Sequence, residues 1–263
     1  MKTIFVKELK MNLKQLIIWS VSVGLMGLFC ILLYQSMEGE MKDMADMFSN
    51  MGAFSDAFGM STLSIASLKG YFATEVGTVH SLGGGMFAAI VAIGIIAKEE
   101  DRHSGEFLLS LPVSRTKVVA AKGLCVIIML CAFTVICALF YMTGFAVLGE
   151  EIPYGELLRF MASQLLMNLE IGSICFLISA LSSRINMGLG LAVALILYVF
   201  DLIGRVVPDL KDYLFMGPYS FANASEIFAG EPVLYSGIGV ACAVIVLFVL
   251  IAIFSYNKKD MAS

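Results

Sequence analysis

Glu170 lies near the middle of a long apolar run, where a charged side chain costs several kcal/mol and calls for a partner or a wet cavity. At helical spacing, Ser163, Glu170 and Ser173 share one side of that run, and Gln164, Asn168 and Gly172 share the neighbouring side. Such a set suits a translocation path or a proton-linked step, or it serves as hydrogen-bonded glue between helices, and the residues leave these open. A second concentration of polar chemistry is the stretch from Lys98 to Lys122, KEEDRHSGEFLLSLPVSRTKVVAAK, the densest charge cluster in the chain. Enzymatic patterns are missing elsewhere. No Gly-Lys dipeptide occurs, so no G-x-x-x-x-G-K-[ST] phosphate loop is present and the chain does not hydrolyse ATP by itself. His80 and His103 form no H-E-x-x-H motif, and no G-x-S-x-G elbow is found. Cys30, Cys125, Cys131, Cys137, Cys175 and Cys242 all fall in apolar runs without C-x-x-C spacing. The expectation is no enzyme, no metal, no disulfide and no cofactor in this chain.

The segments that must position these groups are membrane spans. The 263 residues are 59% hydrophobic and 14% charged, with a mean hydropathy of +0.90. A soluble domain has about 25% charged residues, and this chain could not cover a water-facing surface. Runs long enough to cross a bilayer fall at about 16–34, 80–97, 118–148, 159–181, 187–204 and 235–256. All six must be helices, since lipid offers no partner to free backbone amides. The reading is therefore one all-α membrane domain over 1–263. With the N-terminus inside, the inner segments hold Lys2, Lys7, Lys10, Lys14, Lys98, Arg102, Arg115, Lys117, Lys122, Arg184, Lys258 and Lys259. The outer ones hold Lys42, Lys69, Arg159, Arg205 and Lys211, so the positive-inside rule places both termini and the 98–117 loop in the cytoplasm. Basic residues spread over several loops form no nucleic-acid-binding face.

Residues 1–15 alternate Ile4, Phe5, Leu9 and Leu13 with Lys2, Lys7, Lys10 and Lys14, a pattern that suits an amphipathic helix lying in the interface. The apolar run after it is longer than a signal-peptide core and is kept as the first span. In the long outer loop 35–79, Met37, Met41, Met44, Met47 and Met51 lie on one helical face. Thioethers can bind copper(I), but without His or Cys nearby this stripe is expected to be packing surface. Gly84, Ala88 and Ala92 make a small-residue ridge in the second span, and Gly188, Gly190, Ala192 and Ala194 make another in the fifth. Asp201 and Arg205, four apart, read as a local ion pair. Pro208, Pro218 and Pro232 break the last outer loop into short helices dipping toward the membrane, and Asn223-Ala224-Ser225 matches a glycosylation triplet.

Within the charged stretch, Asp101 or Ser104 can cap a short helix with an apolar face of Phe107, Leu108 and Leu111. Pro112 stops that helix, and Ser114 is placed to cap the next one. Lys98-Glu99-Glu100, then Gly105-Glu106-Phe107-Leu108-Leu109-Ser110-Leu111-Pro112-Val113-Ser114-Arg115, then Lys122 resemble the pattern of type-2 ATP-binding-cassette (ABC) export permeases. In that family an acidic pair precedes G-T-x-E-x-L-L-x-x-P-[VI]-[ST]-R and a later Lys. Here Glu106 directly follows Gly105, where the family commonly has two residues between. The resemblance extends over the whole chain. It implies an exporter permease subunit whose coupling helix, through Glu99, Glu100, Gly105, Glu106, Phe107, Leu108, Pro112 and Arg115, is received by a separate cytoplasmic ATPase subunit. ATP and magnesium would be held by that partner, and a second permease copy, in a homodimer or heterodimer, would pair across small-residue faces in the cell membrane. The translocation path would involve Ser163, Gln164, Asn168, Glu170 and Ser173. The residues leave two other classes open: a secondary transporter with Glu170 as its coupling-ion site, and a non-transporting membrane anchor or sensor.

Overall fold

Residues 2–101 and 113–259 are described by the computed structural model, with the side chains of Met44, Phe48 and Ser49 excepted. Gly105, Glu106, Phe107, Leu108 and Pro112, and with them the expected coupling helix, lie outside the described residues. The chain forms α1 (Lys2–Ser49), α2 (Ala53–Phe58), α3 (Leu68–Tyr71), α4 (Gly77–Ile93) and α5 (Lys98–Asp101). After the 102–112 segment come α6 (Arg115–Leu148), α7 (Tyr154–Leu181), α8 (Met187–Val206), α9 (Pro208–Lys211), α10 (Ala224–Ala229) and α11 (Tyr235–Lys258). No strand occurs among the described residues. Among the described residues six helices are long and apolar enough to cross a bilayer, as the hydropathy pattern predicts.

Two boundaries differ from the sequence expectation. Residues 2–15 are not a separate helix lying in the interface: α1 runs 48 residues without a break, roughly 72 Å at 1.5 Å per residue. The reason is visible in its partner. α1 packs lengthwise along α6, from Ile4 against Val118 and Ala121 near one end to Ile31 against Gly144 near the other. The two helices run parallel, and Gly24 and Gly27 on α1 admit the rings of Phe140 and Tyr141. A Cβ on either glycine would lie 2.3 Å from the ring, so only glycine allows this approach. Inside lipid such contacts stabilise by close packing, because the acyl chains are as apolar as the side chains.

The second span also begins earlier than position 80. α3, a π-helical turn over Phe72–Val76, and α4 form one apolar unit from Leu68 to Ile93. Ser67 caps its start by accepting the Gly70 amide at 3.1 Å. Thr74 and Glu75 hide this segment from a hydropathy reading, yet Phe72 is fully buried among Tyr141, Phe145, Phe160 and Phe228. Phe228 comes from the proline-broken loop before α11, whose short helices dip into the bundle as expected. Asn223, the residue of the glycosylation triplet, caps α10 by accepting the Glu226 amide at 3.1 Å.

α4 lies at the centre, against α1, α7 and α8. Its ridge is used inside the chain: Ala88 and Ala92 are fully buried, and Gly84 sits against Asn168. Gly190 on α8 packs on Ile93 and the Ala89 carbonyl. These small residues bring α4 close to α7 and α8, while Gly188 on the other side of α8 stays exposed. The methionine stripe splits as well. Met41 packs against a small cluster of Ala45, Met60 and Ile65, whereas Met47 and Met51 are exposed.

Candidate functional site

At the end of α4 the chain turns sharply through Gly94–Ala97 into α5. Two amides of that turn, those of Ile96 and Ala97, donate to the Ser179 hydroxyl of α7 at 3.0 Å each. The turn is thus fastened to the last turns of α7, and it presents Lys98, Glu99 and Glu100 inward. All three are buried, at 7%, 6% and 6% exposure.

Their partners come from distant parts of the chain. Lys122, fully buried about two turns into α6, donates to Glu8 at 2.8 Å, to Glu99 at 2.9 Å and to the Ile95 carbonyl at 2.6 Å. An ammonium has three donors, and all are used. The other Glu8 oxygen accepts from Lys98. Glu100 pairs with Lys259 at 2.8 Å, and Lys259 also donates to the Ser182 carbonyl after α7. Three carboxylates and three ammonium groups therefore balance one another at the ends of α1, α5, α6, α7 and α11. Desolvation, reinforced by the neighbouring Lys122 charge, holds the Lys98 ammonium below its ordinary pKa despite the pull of Glu8.

Arg115 completes the arrangement. Its guanidinium donates to the carbonyls of Tyr256 at 3.3 Å, Asn257 at 3.4 Å and Lys259. A cation there satisfies carbonyls that the helix end leaves free and meets the negative end of its dipole. Ser114 caps α6 as expected, its hydroxyl accepting the Lys117 amide at 3.4 Å. The Asn257 side-chain amide donates to Thr116 at 3.0 Å. Glu99 and Glu100 on one side of positions 102–112, and Arg115 on the other, are thus each fastened to the bundle.

Glu8 and Lys259 escaped the sequence reading as functional residues, and Lys98 and Lys122 entered it only through a pattern. A signal was present for Glu8. It is the only acidic residue before Glu38, and it stands four residues after Ile4 on the apolar face of a basic helix.

The five polar residues of α7 do not open into one shared cavity. Gln164 is fully buried and donates to the Ser81 hydroxyl at 2.7 Å and the Ala222 carbonyl at 2.8 Å. Asn168 is fully buried against Gly84, and its amide has no hydrogen-bond partner among the described residues. Glu170 is buried with Oε2 likewise unpartnered. Ser163 lines a pocket with Arg159, Glu226 and Glu231, and Ser173 lines an apolar groove toward the other end. At the Ser163 end of the bundle, Arg205 grips Asp201 with two bonds of 2.8 and 3.1 Å, the local pair expected from their spacing, and also reaches Glu226.

Six apolar helices with charge gathered at their ends define a multi-pass membrane protein, with both termini at the same end of the bundle. The model of the ABC-2 family transporter proteins matches residues 2–261, and the chain belongs to that family. It is a membrane permease of an ABC transporter, a transport component rather than a catalytic one. No curated protein matches the chain.

Proposed function

We propose that this chain is the exporter permease subunit that a separate cytoplasmic ABC ATPase drives through segment 98–117. The observation that carries the reading is the buried ion cluster: Glu99 and Glu100 on one side of 102–112, and Arg115 on the other, are tied to α1, α6 and α11. A push received by 102–112 is then delivered to three spans at once. In this reading Gly105, Glu106, Phe107, Leu108 and Pro112 contact the ATPase, while Glu99, Glu100 and Arg115 transmit from behind. ATP can bias the permease only through contacts that differ between its states, and the cluster supplies contacts of that kind. The whole chain, with termini and segment 98–117 in the cytoplasm, acts as a pair of copies in the cell membrane. The side of α8 that carries exposed Gly188 and half-buried Ala192 is the small-residue face left for that pairing.

The test is co-purification in mild detergent with the neighbouring gene products. The expected result is a co-purifying subunit carrying a phosphate-binding loop, lost on Leu108→Asp or Glu106→Lys. A chain that purifies without any such subunit, or a complex whose ATPase activity survives both changes, would overturn the reading. A narrower role follows for Glu170, whose buried and unpartnered oxygen suits a transport path that opens in another state. Glu170→Gln is expected to lower transport in vesicles while leaving the ATPase subunit bound.

A further inference from the structure

Between α6, α7 and α11 runs an open groove of about 330 Å3, walled by residues that include Ala120, Gly123, Leu169, Gly172, Phe176 and Ile253. Its one hydroxyl, Ser173, is turned away from ligand chemistry, donating to the Glu170 carbonyl of its own helix at 2.8 Å. The two glycines are not needed for helix contact. A Cβ on Gly123 would sit 3.5 Å from the Phe176 ring, and one on Gly172 would sit 3.6 Å from Leu130. Both are ordinary contact distances, in contrast to Gly24 and Gly27, so what these glycines provide is space in the groove.

The dimensions and the charge at its mouth indicate the occupant. From Val119 to Ile127 the wall follows roughly 12 Å of helix axis, a little under half the thickness of the hydrocarbon layer. The groove is therefore one leaflet deep. Lys117 is exposed, three and seven residues before the wall residues Ala120 and Leu124, and has no ion-pair partner among the described residues. Lys258 stands beside the same end, over the Phe254 ring at 4.2 Å. We propose that this groove binds an anionic phospholipid, with an acyl chain between Gly123 and Gly172 and its phosphate at Lys117 and Lys258. A second copy docked with two-fold symmetry would instead bring the same unneutralised lysines toward one another.

The experiment is native mass spectrometry of the detergent-purified chain, titrated with phosphatidylglycerol or phosphatidylcholine. Wild type is expected to bind phosphatidylglycerol more tightly. Lys117→Gln and Lys258→Gln, surface changes that leave packing intact, should each weaken it about fivefold without altering phosphatidylcholine binding. Gly123→Leu, which fills the groove, should remove the bound lipid, whereas Gly123→Ala should keep it. Equal affinity of wild type for the two lipids would overturn the proposal. So would unchanged phosphatidylglycerol binding by folded Gly123→Leu, or a Gly123→Leu variant that loses its dimer but keeps its lipid.

Discussion

At the loop end of the bundle, Glu8, Lys98, Glu99 and Lys122 come from three separate parts of the chain, whereas Asp201 and Arg205 at the opposite end come from one helical turn. The second arrangement fixes little beyond its own helix and the Glu226 loop. The first holds the start of α1, the exit from α4 and the start of α6 in one register. Burial separates the two ends less: Lys122 is fully enclosed, Arg205 and Asp201 are 9% and 8% exposed, and only Glu226, at 40%, reaches water. A local pair forms wherever its helix forms, but a cluster of distant charges exists in only one arrangement of the spans. A change in their relative positions must act on the cluster first.

Substitutions can break this contrast in graded steps. Lys122→Met is expected to have the largest effect, destabilising the chain by roughly 3–5 kcal/mol because Glu8 and Glu99 are left buried together. Thermal unfolding in detergent measures this, and adding Glu8→Gln should recover part of the loss. Lys98→Met should cost less than Lys122→Met in the same assay, because burial already disfavours the Lys98 ammonium. Arg205→Met should also cost less than Lys122→Met, since it strands one buried carboxylate, Asp201, while Glu226 keeps access to water, and it should leave ATPase coupling intact. Lys69→Ala, which opens a half-exposed pair with Glu156, is expected to cost roughly 0.2–1 kcal/mol and to lose even that at high salt. If Arg205→Met uncoupled ATP hydrolysis as strongly as Lys122→Met, the distinction between the two ends would fail.

The same contrast decides what could be read from the sequence. Six apolar runs, the Ser114 cap, the proline-broken loop and the Asp201–Arg205 pair are all set by residues near one another in the chain. The cluster depends on separations as long as Glu8 to Lys122, which no local pattern carries. Hydropathy also misjudged residues 68–79, because Thr74 and Glu75 are polar by type while Phe72 anchors the segment in the bundle. In the same way the alternation of Lys with Ile and Leu in residues 2–15 pointed to the bilayer surface. The apolar face is instead taken by α6, and Glu8 on that face is the residue that finds Lys98 and Lys122.

α1 has one further consequence. From Glu8 to Tyr34 it covers roughly 39 Å of unbroken axis, with Glu8 locked at one membrane face and the Tyr34 hydroxyl bonded to the Ala66 carbonyl at the other, at 2.7 Å. Helices bend sharply only at proline, at glycine–serine pairs, at π-bulges or where a side chain or water enters the backbone ladder, and α1 contains no proline and no π-turn. As a single unbroken helix it joins the ion cluster at the loop end to residues 64–71 at the far end, so a tilt of its loop end is expected to displace residues 64–71, with no intervening loop to absorb it.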